Sequence, residues 1–214
     1  MPTHQEPLAA LVQQRTLFVS ILLFPDVEIL DFAGPYEVFS VASRICSKAS
    51  VLQHPPFELY SVAAERSLVK ARHGLGLMAD AGFADAPPCD VLIVPGGVVT
   101  QAQNDPATLE WLRRTAAQAG LTASVCTGAF ILAQAGLLKN CKATTHWEDI
   151  PELRTAFPDL DVIEAVPYVD LGTRVTSAGI SAGIGMSLHL VGRILGAEAA
   201  QATARQMQYD WVDR

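Results

Sequence analysis

The sequence predicts one α/β domain built as a doubly wound, mostly parallel sheet with helices on both faces. Three observations carry that reading. Near-continuous apolar runs of strand length, such as Thr16–Phe24 (TLFVSILLF) and Asp90–Val94 (DVLIV), suit parallel strands buried on both faces. Segments of helical period alternate with these runs along the chain. No internal repeat, low-complexity stretch or linker interrupts the alternation, and 214 residues suffice for one sizeable core.

Taken in order, Met1–Arg15 (MPTHQEPLAALVQQR) reads as an N-terminal extension, a polar tail or short helix outside the core, with the domain proper at 16–214. The first apolar run follows. Asp31–Arg44 then has helical spacing, with Phe32, Tyr36, Phe39 and Val41 on one side and Pro35 expected in the first turn, where a missing N–H costs little. Phe57–Ala63 reads as the second strand, and Arg72–Leu77, with His73, Gly74 and Gly76, as a turn or short hairpin. The strand at Asp90–Val94 ends at Pro95-Gly96-Gly97. Asn104 and Asp105 before Pro106 mark a helix start, and Gly120 marks its stop after about Gln118. Leu121–Val125 is the next strand, and a small-residue helix ends at Gly136. Tyr168–Asp170 and Arg174–Ser177 flank Leu171-Gly172-Thr173 as a hairpin. Helices at Ile180–Leu195 and from Ala197 to about Tyr209 close the chain.

Composition removes several classes of function. Half of the residues are hydrophobic and the net charge is −7, with acids and bases interspersed. No basic stripe points to nucleic acid. No apolar run approaches the roughly 20 residues needed to cross a bilayer. The four cysteines, Cys46, Cys89, Cys126 and Cys141, fit no zinc spacing and form no CxxC. The first fifteen residues lack the basic and apolar regions of a secretory leader. The expectation is a cytoplasmic protein with reduced thiols and no metal or cofactor.

Ala123-Ser124-Val125-Cys126-Thr127-Gly128-Ala129 is the most informative segment. An apolar strand ends, a cysteine follows, and a helix begins almost at once, as in a nucleophile elbow with Cys in the serine position. Such a turn lifts the sulfur clear of the sheet at the carboxyl ends of the strands, where open α/β sheets bind ligands. The helix N-terminus is expected to favour thiolate and lower the thiol pKa. The N–H groups near Thr127 and Gly128 are free to face an anion, and those of Gly96 and Gly97, on a neighbouring strand end, complete a candidate oxyanion hole. The other three cysteines lack this context and read as structural.

Two companions follow. Asp31, between Leu30 and Phe32, has two readings. As a helix N-cap it does a common job for Asp, and pattern alone favours that. As a site residue its carboxyl reaches the same crevice as Cys126, where a neighbouring thiolate raises its pKa and lets it donate a proton. His146, in Thr144-Thr145-His146-Trp147, lies 20 residues after Cys126 and suggests a thiol–imidazole pair, although lone histidines more often sit at surfaces or in packed cores.

These segments resemble the ThiJ/PfpI superfamily, related to class I glutamine amidotransferase domains. The resemblance runs from about Leu17 to Tyr209 and is carried by FPDVEILDFAGPYEVF, DVLIVPGG, SVCTGAFILAQAGLL, ATTHW and TSAGISAGIGMSLHLV. It implies a flavodoxin-like three-layer sandwich, a homodimer and a small-molecule substrate. Within the superfamily the LDxxGP segment, the CTG and the ATTHW are similar to the isocyanide hydratase branch. That branch implies Cys126 as nucleophile, Asp31 as acid, Thr127 beside them, and an N-substituted formamide as product of a thioimidate intermediate. His146 falls where the superfamily often has a histidine. Amidase, peptidase and glyoxalase-like enzymes share the scaffold, and so do redox or ligand sensors. AraC-type regulators carry similar motifs ahead of a helix-turn-helix domain, which a chain ending at Arg214 is not expected to contain.

Overall fold

The computed structural model describes residues 7–49 and 52–212. The chain begins with a one-turn helix α1 (Leu8–Leu11), strand β1 (Leu17–Leu22), helix α2 (Ile29–Lys48) and strand β2 (Phe57–Ala63). A small hairpin of β3 (Leu68–Lys70) and β4 (Gly76–Met78) follows, then β5 (Ala81–Gly82), β6 (Val91–Val94), α3 (Pro106–Gln118) and β7 (Leu121–Val125). The rest is α4 (Gly128–Gln134), β8 (Lys142–Ala143), α5 (Ile150–Ala156), β9 (Asp161–Val162), β10 (Tyr168–Asp170), β11 (Arg174–Ser177), α6 (Ala182–Leu195) and α7 (Ala197–Gln206).

Seven strands form the central sheet in the order β10-β11-β7-β6-β1-β2-β5. Every neighbouring pair is parallel except β10 with β11. The chain builds outward from β1 through β2 on one side, then returns to lay β6 and β7 on the other. The strand order therefore reverses between β1 and β6, which opens a crevice at their carboxyl ends.

Alternation of side chains within each strand feeds two cores. On one face Val19, Ile21, Val91 and Ile93 pack with Val38 and Phe39 of α2 and Leu188 and Val191 of α6. On the other, Leu22, Leu92 and Val94 pack with Leu112 of α3 and Ile131 and Leu132 of α4. Burying each such side chain contributes about 1.5–3 kcal/mol. This is the expected flavodoxin-like three-layer sandwich.

Several expectations change. Helix α2 starts at Ile29, so Pro35 lies inside it, in the second turn. Residues 1–15 are expected outside the core; residues 1–6 lie outside the described residues, and in the rest Val12 is fully buried, Leu8 and Leu11 pack on the same core, and Arg15 makes a two-pronged ion pair with Asp90 at 2.7 and 2.8 Å. Among the described residues no helix is long and apolar enough to cross a membrane.

Candidate active site

Three strand ends meet at the crevice. Cys126 follows β7 with φ of 56°, the left-handed region, which costs a non-glycine residue roughly 1–2 kcal/mol. Its backbone is held on both sides. The Cys126 N–H donates to the carbonyls of Ser177 and Ala178 at 3.2 and 3.3 Å, and the Cys126 carbonyl accepts from the Thr145 hydroxyl at 2.8 Å. Gly128 lets α4 start flush against β6, since a Cβ there would stand 2.1 Å from the Val94 carbonyl oxygen.

Asp31 is not a cap. The residue at that position is Glu28, which makes no side-chain capping bond, and Asp31 sits in the first turn. Its carboxyl is fully buried and turned across the crevice, where Oδ2 accepts from the Gly96 N–H at 3.0 Å. Oδ1 is buried without a well-formed hydrogen bond. Thr127 locks the two turns together: its hydroxyl accepts from the Gly97 N–H at 2.9 Å and donates to the Gly97 carbonyl at 3.0 Å. The expectation that Gly96 and Gly97 offer free oxyanion donors is therefore corrected, because both N–H groups are already bonded to side chains of the site. The backbone N–H groups that do address the sulfur are those of Thr127 and Ile180.

The electrostatics also depart from expectation. Burial, helped by the nearby Glu28 charge, pushes Asp31 up to about 7 against the opposing pull of the Gly96 N–H, the Cys126 thiol and Arg72. This is the direction anticipated. The Cys126 thiol, expected to fall, is pushed up to about 12, first by burial and then by the Asp31 charge, against the pull of the Thr127 and Ile180 N–H groups. The residue is only 7% exposed, and the short α4 cannot offset both desolvation and an adjacent carboxylate. The resting thiol keeps its proton, and Asp31 is the acceptor beside it.

His146 lines the same cavity, of about 340 Å³, as Cys126 and Thr127. No hydrogen bond joins the imidazole to Cys126 among the described residues. Its Nδ1 accepts from the Glu148 N–H at 3.4 Å and lies 3.5 Å from Asp149 Oδ2. The ring packs on Gly179, where a Cβ would stand 2.0 Å from His146 Cδ2. A larger concavity, about 530 Å³, lies beside Phe24, Phe83 and Thr108 and is not lined by a thiol. Sequence reasoning missed Thr145, Gly179 and Ile180. The ATTHW segment stood out only for its histidine, and a positive φ at Ile180 has no signature in residue type. Cys46 and Cys89 are buried and all four cysteines are free.

A thiol presented on a strained turn at the switch point of a parallel sheet, with a buried carboxyl across from it, defines the class as an elbow-type α/β domain. The DJ-1/PfpI family profile spans residues 18–193, and the chain belongs to that family. It is 37% identical over 199 residues to isonitrile hydratase of Pseudomonas putida, covering 90% of this chain and 78% of that protein. It is 30% identical over 194 residues to the HTH-type transcriptional regulator GbdR of Pseudomonas aeruginosa. The match takes in 91% of this chain and 51% of the regulator, so the chain spans about half of that protein. Among solved structures, a ThiJ/PfpI family protein from Pseudomonas syringae superposes with a TM-score of 0.81 at 27% identity, over 100% of this chain and 83% of that one.

Proposed function

We propose that the protein hydrates isocyanides to N-substituted formamides through a covalent adduct on Cys126. The observation that carries this reading is the Asp31–Cys126 pair: a buried carboxyl with one oxygen fixed by the Gly96 N–H, facing a protonated thiol. The similarity to isonitrile hydratase supports the choice of substrate.

Asp31, as carboxylate, takes the thiol proton while the sulfur bonds to the terminal isocyanide carbon. The N–H groups of Thr127 and Ile180 stabilise the negative charge that develops on sulfur. The same proton passes from Asp31 to the former isocyanide carbon and gives a thioimidate. Water then adds to that carbon, the C–S bond breaks, and the nitrogen gains a proton. The product is the formamide, with the thiol and Asp31 restored. Thr127 holds the Gly97 turn to the elbow and so keeps the two acids in register. Neither metal nor redox cofactor enters these steps.

The regulator relative supports a second reading, a ligand sensor on the same cavity. Oxidation as its signal fits poorly, since a thiol held at high pKa is slow to oxidise. A Cys–His–acid triad for amide hydrolysis fits poorly too, because no hydrogen bond joins His146 to Cys126 among the described residues and its Nδ1 accepts from the Glu148 N–H rather than donating to an acid. The decisive assay follows formamide from a panel of alkyl and aryl isocyanides. Cys126→Ala and Asp31→Asn are each expected to lower turnover by at least about a thousandfold. No formamide from the folded native protein with any member of the panel overturns the reading.

A further inference from the structure

We infer that the Cys126 cavity sorts substrates by charge, taking neutral and above all cationic small electrophiles and rejecting anionic ones. The inference rests on the proposed chemistry at Cys126 and adds the class of substrate it accepts. The cavity mouth carries three carboxylates, Glu28, Glu148 and Asp149, against Arg72 and His146. Arg72 is spent on Glu28, to which its Nη1 donates at 3.0 Å. Glu148 and Asp149 remain, flanking the His146 ring at 3.8 and 3.5 Å from Nδ1. A protonated imidazole offsets one of them and a neutral one offsets neither, so negative charge is in excess in both states.

A second observation lies deeper. Behind the Cys126 sulfur, which lines the cavity, Asp31 is fully buried, and its Oδ1 makes no well-formed hydrogen bond that would spread its charge. An anion approaching the sulfur passes Asp149 at the rim and meets the Asp31 carboxyl at the end. A short ammonium-bearing chain meets charge complementarity along the same path. A concave site focuses that field more than a flat surface does. Asp149 is the stronger rim determinant, because its side chain is 30% exposed against 64% for Glu148 and water screens it less.

The test uses alkyl methanethiosulfonates with the same leaving group: a trimethylammonioethyl, a methyl and a sulfonatoethyl reagent. In each reaction the Cys126 sulfur attacks the sulfenyl sulfur, a mixed disulfide forms, methanesulfinate leaves and the thiol proton goes to solvent. A Cys141→Ser background and peptide mass mapping assign the label to Cys126. The cation-to-anion rate ratio is expected to exceed that of a small free thiol by about tenfold, and to shrink as salt is raised. The Asp149→Asn and Glu148→Gln/Asp149→Asn variants, checked for folding by circular dichroism, should bring it back toward the free-thiol ratio. A native ratio equal to the free thiol's, or one that neither salt nor the variants move, overturns the inference. The labelling needs no isocyanide turnover. A protein that shows the ratio but makes no formamide keeps this inference and loses the reaction. One that makes formamide equally fast from cationic and anionic isocyanides keeps the reaction and loses the inference.

Discussion

The two acids at the centre of the site, Asp31 and Cys126, act as one unit that holds one proton in its working state. Removing the first proton of the pair is governed by the carboxyl, raised to about 7, and the second by the thiol, near 12. The form with one proton left is the reactive one, so kcat/KM is expected to rise with pH through about 7 and level off above it. A pH–rate profile that falls across that range contradicts the assignment. Sequence exposed these residues unevenly. Cys126 stood out because a strand, a cysteine and a helix start follow one another without a gap. Asp31 is open to misreading as a cap because the true cap position of α2 is Glu28, whose side chain makes no capping bond to announce it. The thiol pKa was misjudged for a related reason: a helix N-terminus is visible in sequence, whereas the burial that outweighs it is a property of the packed molecule.

The turn between β7 and α4 is a junction where glycine is required for space. Gly128→Ala would drive a methyl group into the Val94 carbonyl, a backbone atom that cannot rotate away. The expected outcome is a loss of about 3 kcal/mol or more in urea unfolding together with loss of isocyanide turnover. A variant with unchanged midpoint and rate removes this account of the junction. Central strands were legible because their apolar runs are long and unbroken, as in β1 and β6. The two-residue strands β5, β8 and β9 were not, since two residues carry no period. The docking of the N-terminal segment escaped notice because it depends on few apolar side chains, above all Val12, in a stretch that is otherwise mixed.

The whole molecule bears the cost of its site. An ordinary carboxyl ionises near 3.9 in the unfolded chain, but Asp31 in the folded one does so near 7. Across that window the folded state holds a proton that the unfolded state has lost, so stability falls as pH rises from about 4 to 7. The cost is at most on the order of 4 kcal/mol at neutral pH. Asp31→Asn keeps an acceptor for the Gly96 N–H and cannot ionise. It is expected to match the native protein near pH 4 and exceed its unfolding free energy by a few kcal/mol at pH 8. A gap that fails to open with pH, or opens the other way, shows that the carboxyl is not penalised by its surroundings.

The backbone of Cys126 is tethered to Thr145 and to Ala178, while its thiol looks toward a carboxyl from near the start of the chain. No contiguous fragment short of nearly the whole domain brings these groups together. During synthesis the sulfur is an everyday thiol with everyday hazards, open to any oxidant it meets. Only with β11 docked beside β7 does it hold both its shelter and its partner, so chemical competence belongs to the assembled sheet and not to any one segment of it.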